Sequence, residues 1–225
     1  MKPKILIIAT DGFAKNIGHF MINTDYGKSI ANAGGIPIVA LSPKLAEEYF
    51  DLADGLLLTD GPEIHRGRYG KYYAPTEEFP PFNREREEME LKLCEMFSKS
   101  KKPILGIGRG MQMINVFFGG TLCDNMRDFS KHIKTAEDKT EFTYHVITAY
   151  DKNYEVNSAH KSAIETLGEA LIPVAYAEDK TIEAFKHSFL PVQGVQWHAE
   201  HESENDGISL KIFEDFISLC KEGSK

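Results

Sequence analysis

Apolar and polar positions along this chain fall into two rhythms. Short unbroken apolar runs stand at Ile5–Ala9, Ile36–Leu41, Gly55–Leu58 and Ile104–Ile107. A run without polar alternation marks a strand covered on both faces, as in a parallel sheet. Between these runs the apolar positions recur at helical spacing. Met21–Ala33 predicts a helix closed by Gly34-Gly35. Ser42-Pro43 supplies a cap and a first-turn proline for a helix with Leu45, Ala46, Tyr49 and Phe50 on one side. Met89, Leu93, Met96 and Phe97 form one stripe of a further helix, capped by Asn83. Acids lie near its start and Lys99, Lys101 and Lys102 near its end, which suits the helix dipole. Strands alternating with helices predict right-handed βαβ units: an α/β fold with a doubly wound, mostly parallel sheet and helices on both faces.

The second half is less regular. Phe142–Tyr150, Pro173–Ala177, Thr181–Phe185 and Val192–Trp197 read as strands, and Asp206–Lys221 reads as a terminal helix with Leu210, Phe213, Ile217 and Cys220 on one stripe. Residues 63–82, with several Pro and Gly and with Tyr69, Tyr72 and Tyr73, predict a long loop of the kind that often carries function. Residues 121–140 predict a polar connecting excursion. No repeat, low-complexity tract or linker divides the chain, so residues 1–225 are expected to form a single domain.

Composition narrows the function classes. The 42% hydrophobic and 27% charged fractions over 225 residues are those of a globular protein with a sizeable core. A net charge of −8 argues against a nucleic-acid surface, which needs clustered Lys and Arg. Cys94, Cys123 and Cys220 are odd in number and widely spaced, which is neither a disulfide framework nor a zinc pattern. The opening MKPKILIIATDG is too short for a membrane span and lacks a signal-peptide cleavage pattern, so a cytoplasmic location and no membrane partner are expected.

The chemistry concentrates in Pro103–Gly120, PILGIGRGMQMINVFFGG. A buried strand, a Gly-flanked turn and a helix ending at Gly119-Gly120 are the plan of a nucleophile elbow, whose central residue is held in a strained backbone and pushed into the site. That residue is normally Ser or Cys; here it is Gly108, which has no side chain. His198 follows the strand GVQW, and Glu200 lies two residues on. At the C-terminal edge of a parallel sheet such a His can face the elbow and be oriented by the Glu.

Three motifs then stand in order: GIGRGMQMINVFFGGTL, VNSAHKSAI and GVQWHAE. Together they resemble the class I glutamine amidotransferase superfamily, and within it the γ-glutamyl hydrolases of the peptidase C26 type, especially γ-glutamyl-γ-aminobutyrate hydrolases. LLLTDGPEI resembles the family's oxyanion loop, RYGKYY its Tyr-Gly segment, and Arg86-Glu87 sits where the family has an Arg-Asp pair. The resemblance covers nearly the whole chain and implies a flavodoxin-like, glutamine amidotransferase-like fold and a Cys-His-Glu triad. A cysteine attacks a γ-glutamyl amide and expels the amine, and water frees glutamate from the thioester. Carried over by position, His198 is the base, Glu200 its orienter and Gly108 the nucleophile position. Gly61 and Arg109 supply the oxyanion hole, and Gln112, Ser158 and His160 lie on the glutamyl-binding side. A structural role remains open for each of these last three. No cofactor and no metal are implied; the expected partner is a small γ-glutamyl ligand, and a homodimer is compatible.

Three departures qualify that picture. Gly108 replaces cysteine, Asp60 stands where Gly is common in the oxyanion loop, and Ala199 replaces the Pro between His and Glu. An inward-pointing carboxylate at residue 60 would oppose a developing oxyanion. In a comparable triad enzyme, loss of the nucleophile costs about 10⁶ in kcat, roughly 8 kcal/mol of barrier. The chain is therefore expected to bind γ-glutamyl compounds with little or no thioester-based turnover. Alternatives are hydrolysis by a water activated at His198, a regulatory or sensor role for the same pocket, and a metal site at His198, Glu200, His201 and Glu202. The three thiols are read as inert packing residues.

Overall fold

The computed structural model describes residues 1–14, 17–73, 82–123, 132, 142–203 and 207–223. Its frame is a nine-stranded sheet in two halves. The first half holds β1 (Lys4–Ile8), β4 (Ile36–Ala40), β5 (Gly55–Leu58), β6 (Ile104–Ile107) and β13 (Val192–Val195), all parallel, in the order β4-β1-β5-β6-β13. The second half continues antiparallel through β12 (Ile182–His187), β11 (Leu171–Ala177), β8 (Thr143–Ala149) and β9 (Lys152–Ser158). The sheet thus ends in β4 on one side and β9 on the other. Two small ribbons stand apart from it: β2 (Thr10–Ala14) with β3 (Ile17–Met21), and β7 (Thr121–Cys123) with β10 (Ala163–Thr166).

The unbroken apolar runs form the central strands because both sheet faces are covered. Ile5, Ile7, Leu57, Leu105 and Ile107 point to one side, where α1 (Thr24–Asn32) and α5 (Gly207–Gly223) pack through Ile30, Phe213 and Phe216. Leu6, Ile8, Leu56, Leu58 and Ile104 point to the other, against α2 (Ala46–Leu52), α3 (Arg84–Lys99) and α4 (Arg109–Phe117). Burying each of these Leu, Ile and Phe side chains stabilises the fold by about 1.5–3 kcal/mol. The predicted cap at Asn83 forms: its side chain accepts from the Arg86 N–H at 2.9 Å.

Several expectations need correction. The helix predicted from Met21 begins at Thr24, capped by Asn23, because Ile17–Met21 pairs with Thr10–Ala14 as a hairpin. Within the predicted excursion, Thr121–Cys123 is a strand; residues 124–131 and 133–140 lie outside the described residues, as do residues 74–81 of the predicted loop, in which Arg66–Tyr69 forms a 3-10 turn. VNSAHKSAI is the end of β9, a turn and the start of β10. Among the described residues, no helix is long and apolar enough to cross a membrane.

Candidate functional site

β6 and β13 are direct parallel neighbours, with Ile107 beside Val195, so the chain leaves both at the same edge of the sheet. This brings Gly108 and His198 to one place. Gly108 has φ +58° and ψ −118°, the sharp strand-to-helix turn of an elbow, in a region that costs any residue with a Cβ about 1–3 kcal/mol. Its N–H donates to the Val195 carbonyl at 2.9 Å, which locks the turn onto β13. The turn also lies close against β5: a Cβ on Gly110 would fall 2.1 Å from the Leu58 carbonyl oxygen. The elbow is built in full, with no side chain at its tip.

His198 is positioned from three directions. Its Nδ1 lies 3.0 Å from Glu200 Oε1, in the 3-10 turn Ala199–His201. Its N–H donates to Asn157 Oδ1 at 2.8 Å, and its carbonyl accepts from Asn157 Nδ2 at 3.0 Å. Asn157 thus holds the His main chain on both sides; it sat inside VNSAH, and the sequence reading gave it no role. His198 Nε2 lies 4.0 Å from Asp60 Oδ2. Burial disfavours the imidazolium, but the hydrogen bond to Glu200 and the charges of Glu200, Asp60 and Glu202 outweigh it and raise the His198 pKa above its ordinary value.

Asp60 points inward. Its Oδ1 accepts from the Arg109 N–H at 2.9 Å, so the amide expected to hold an oxyanion already holds a carboxylate. A Cβ on Gly108 would lie 2.8 Å from that same oxygen. The loop beneath is fixed by Arg86, whose Nη2 donates to the Thr59 and Asp60 carbonyls at 2.9 and 3.1 Å. Arg86 shares Glu90 with Arg109, through contacts of 2.7–2.9 Å among groups at most 4% exposed. Burial opposes the Glu90 carboxylate, but the two guanidinium groups hold it below the usual range. Arg86 and Glu87 therefore do not pair with each other; Glu87 takes Arg68 and the His65 N–H instead. Gly61 is tied to the same device, since a Cβ there would meet Arg86 Nη1 at 2.1 Å.

A cavity of about 430 Å³ opens between Gly108 and His198. Gln112 lines it and donates to the Ser162 carbonyl and to Gln196 Oε1 at 2.9 and 3.0 Å. His160 lines it too, with Nδ1 3.0 Å from the Ser162 carbonyl. Ser158 is not part of the lining; its buried hydroxyl donates to the His132 carbonyl at 2.9 Å. Glu63, Lys161 and Ser162 complete the wall, and Ser162 Oγ donates to Glu63 Oε2 at 2.9 Å. These last three lie inside LLLTDGPEI and VNSAHKSAI, but their place in those segments did not single them out as lining residues.

Neither buried thiol lines the cavity. Cys94 lies on α3 and Cys220 on α5, and burial pushes both thiols up, Cys220 to about 12. His198, Glu200 and His201 do converge. However, His201 Nδ1 is engaged by Asp25 and its Nε2 by Asn23, both at 3.0 Å, while His198 Nδ1 faces Glu200.

Residues 7–200 match the family model of peptidase C26. The chain belongs to this family. It is 31% identical to a glutamine amidotransferase-like protein of Rickettsia prowazekii, over 98% of this chain and 99% of that one. It is also 31% identical to the γ-glutamyl-CDP-amidate hydrolase of Campylobacter jejuni, over 77% of this chain and 74% of that enzyme. The solved structure of a glutamine amidotransferase from Thermotoga maritima shares the fold, with a TM-score of 0.61 at 14% identity, over 100% of this chain and 99% of that one. In this peptidase C26 member His198, Glu200 and the turn at Gly108 stand together at one edge of the sheet.

Proposed function

We propose that this peptidase C26 member binds γ-glutamyl compounds without turning them over through a thioester. The observation that carries the reading is the pairing of a side-chain-free elbow at Gly108 with the Asp60 carboxylate on the Arg109 amide. Thioester chemistry needs a thiol at the first and an open donor at the second. The binding half of the proposal is supported by the cavity wall. A glutamyl headgroup carries an ammonium and a carboxylate, and Glu63 and Lys161 offer one charge of each sign beside the neutral Gln112 and Ser162. The amine half of the ligand faces the segment that includes residues 63–73. A bound ligand that is not consumed would suit a sensor.

Calorimetry with a panel of γ-glutamyl amides, followed by mass spectrometry of protein and products, tests this. Binding with no covalent adduct and no free glutamate is the expected result. An acyl-enzyme adduct overturns it. Glutamate release without an adduct, abolished in His198→Ala, replaces it with hydrolysis by a water held between His198 and Asp60.

A further inference from the structure

Behind the cavity wall lies a second cluster that the reading above does not use. Glu183 on β12 is fully buried, and its Oε1 is approached by three imidazoles. His145 Nε2 is 3.4 Å away, His132 Nδ1 is 3.6 Å away and His160 Nε2 is 3.6 Å away. Ligand atoms of His132, His145 and Glu183 all lie within 4.8 Å of one another. The residues come from four places in the chain: His145 from β8, Glu183 from β12, His160 from the turn after β9, and His132 from the connection between β7 and β8.

Two of the rings have their outer nitrogens engaged. His160 Nδ1 is 3.0 Å from the Ser162 carbonyl, which only accepts, so Nδ1 carries a proton and Nε2 faces Glu183. His132 Nε2 is 2.9 Å from Asp179 Oδ2, so by the same logic its inward Nδ1 is the unprotonated nitrogen. Neither of these inward nitrogens, nor either oxygen of Glu183, has a hydrogen-bond partner. A lone pair on His132 Nδ1 facing a buried carboxylate is unfavourable unless a cation stands between them. The separations of 3.4–3.6 Å also discriminate. They exceed the ~2.7–2.9 Å of a charge-assisted hydrogen bond. For His132 and His145 they are close to the edge of about 3.4 Å expected for a tetrahedron with metal–ligand bonds of ~2.0–2.1 Å, and the ligand atoms of these two and Glu183 lie within 4.8 Å of one another, a group that His160 stands outside. An outer acceptor that fixes the ring, here Asp179, is the usual second layer around a metal-bound histidine.

We propose that His132, His145 and Glu183 form a binding site for one divalent transition-metal ion, zinc best fitting this set of two nitrogens and one oxygen. Three protein ligands leave one tetrahedral position open. The ion ties His132 to two strands of the antiparallel half. His160, whose Nε2 is 3.6 Å from Glu183 Oε1, lines the main cavity, so the cluster backs that wall. The site stands independently of what the cavity binds.

The test is metal analysis of the full-length protein, after dialysis against a chelator and reloading with zinc or cobalt. The expected result is one equivalent of metal per chain, the intense visible absorption of tetrahedral cobalt(II), and a melting temperature that falls on chelation and recovers with zinc. Glu183→Gln weakens uptake roughly tenfold or more, whereas His201→Ala, at the other histidine cluster, retains it. Two results overturn the proposal. One is a folded wild-type protein that takes up neither ion from molar excess. The other is uptake that survives Glu183→Gln and is lost in His201→Ala. The wild-type arm decides the question even where a ligand variant fails to fold.

Discussion

At the scale of single residues the site turns on Asp60 and Gly108. One oxygen of Asp60 lies 2.8 Å from where a Cβ on residue 108 would stand, so the two side chains compete for one space. Gly108→Cys alone is therefore expected to give no measurable release of amine from γ-glutamyl amides. Asp60→Gly combined with Gly108→Cys is expected to restore it, by freeing both the elbow and the Arg109 amide. Equal activity in the single and double variants would show that Asp60 swings clear unaided. Asp60 also supports the charge on His198. Because the folded pKa of His198 is raised, its contribution to stability is complete below the ordinary 6.5 and is lost as pH rises through the folded value. Asp60→Asn should lower the His198 titration midpoint read by NMR and shrink the loss of stability on the alkaline side of 6.5.

The sequence carried this level unevenly. Gly108, His198 and Glu200 were legible because each sits in a short motif at the end of an apolar strand. The inward turn of Asp60 was not, since an acid in a loop has no pattern that sets its direction. The histidines at 132, 145 and 160 were invisible as a group because they stand in separate elements and meet only when the antiparallel strands pair.

At the scale of elements, α3 and α4 are joined beneath the elbow by Arg86, Glu90 and Arg109. Removing the one acid leaves two buried guanidinium groups without a counter-charge. Glu90→Gln is thus expected to cost about 3–5 kcal/mol of stability, read by urea denaturation, and to loosen the Thr59–Asp60 loop that Arg86 holds. A loss below ~1 kcal/mol would mean that water reaches the pair. The element pattern explains which strands could be read. β1, β5 and β6 are apolar throughout because both faces are covered. β9 (KNYEVNS) buries only Val156, Asn157 and Ser158 fully, so its sequence resembles a polar loop. The β2–β3 hairpin escaped for a similar reason: TDGFA and IGHFM carry no sustained apolar run.

At the scale of the whole molecule, the parallel half supplies Gly108 and His198, and the antiparallel half supports them and adds the wall at His160, Lys161 and Ser162. Asn157 reaches from β9 to the His198 main chain, and the Gln196 N–H donates to the Glu183 carbonyl at 2.7 Å. The edge that carries Gly108 and His198 is thus held from both halves, which the α/β pattern alone could not reveal because it read only the first.

The sheet ends in β4 and β9, and each end is chemically finished. β4 (IPIVA) carries Pro37, which has no N–H to offer an incoming strand, and β9 carries Lys152 and Glu155. Such residues discourage edge-to-edge growth of a sheet into fibres. Pro37→Val would restore a donor to an edge that also exposes Ile36, and light scattering should then show concentration-dependent association absent from the parent. These edge residues disfavour self-association through a continuous sheet, which leaves contact face to face, through helices and loops, as the arrangement they do not oppose.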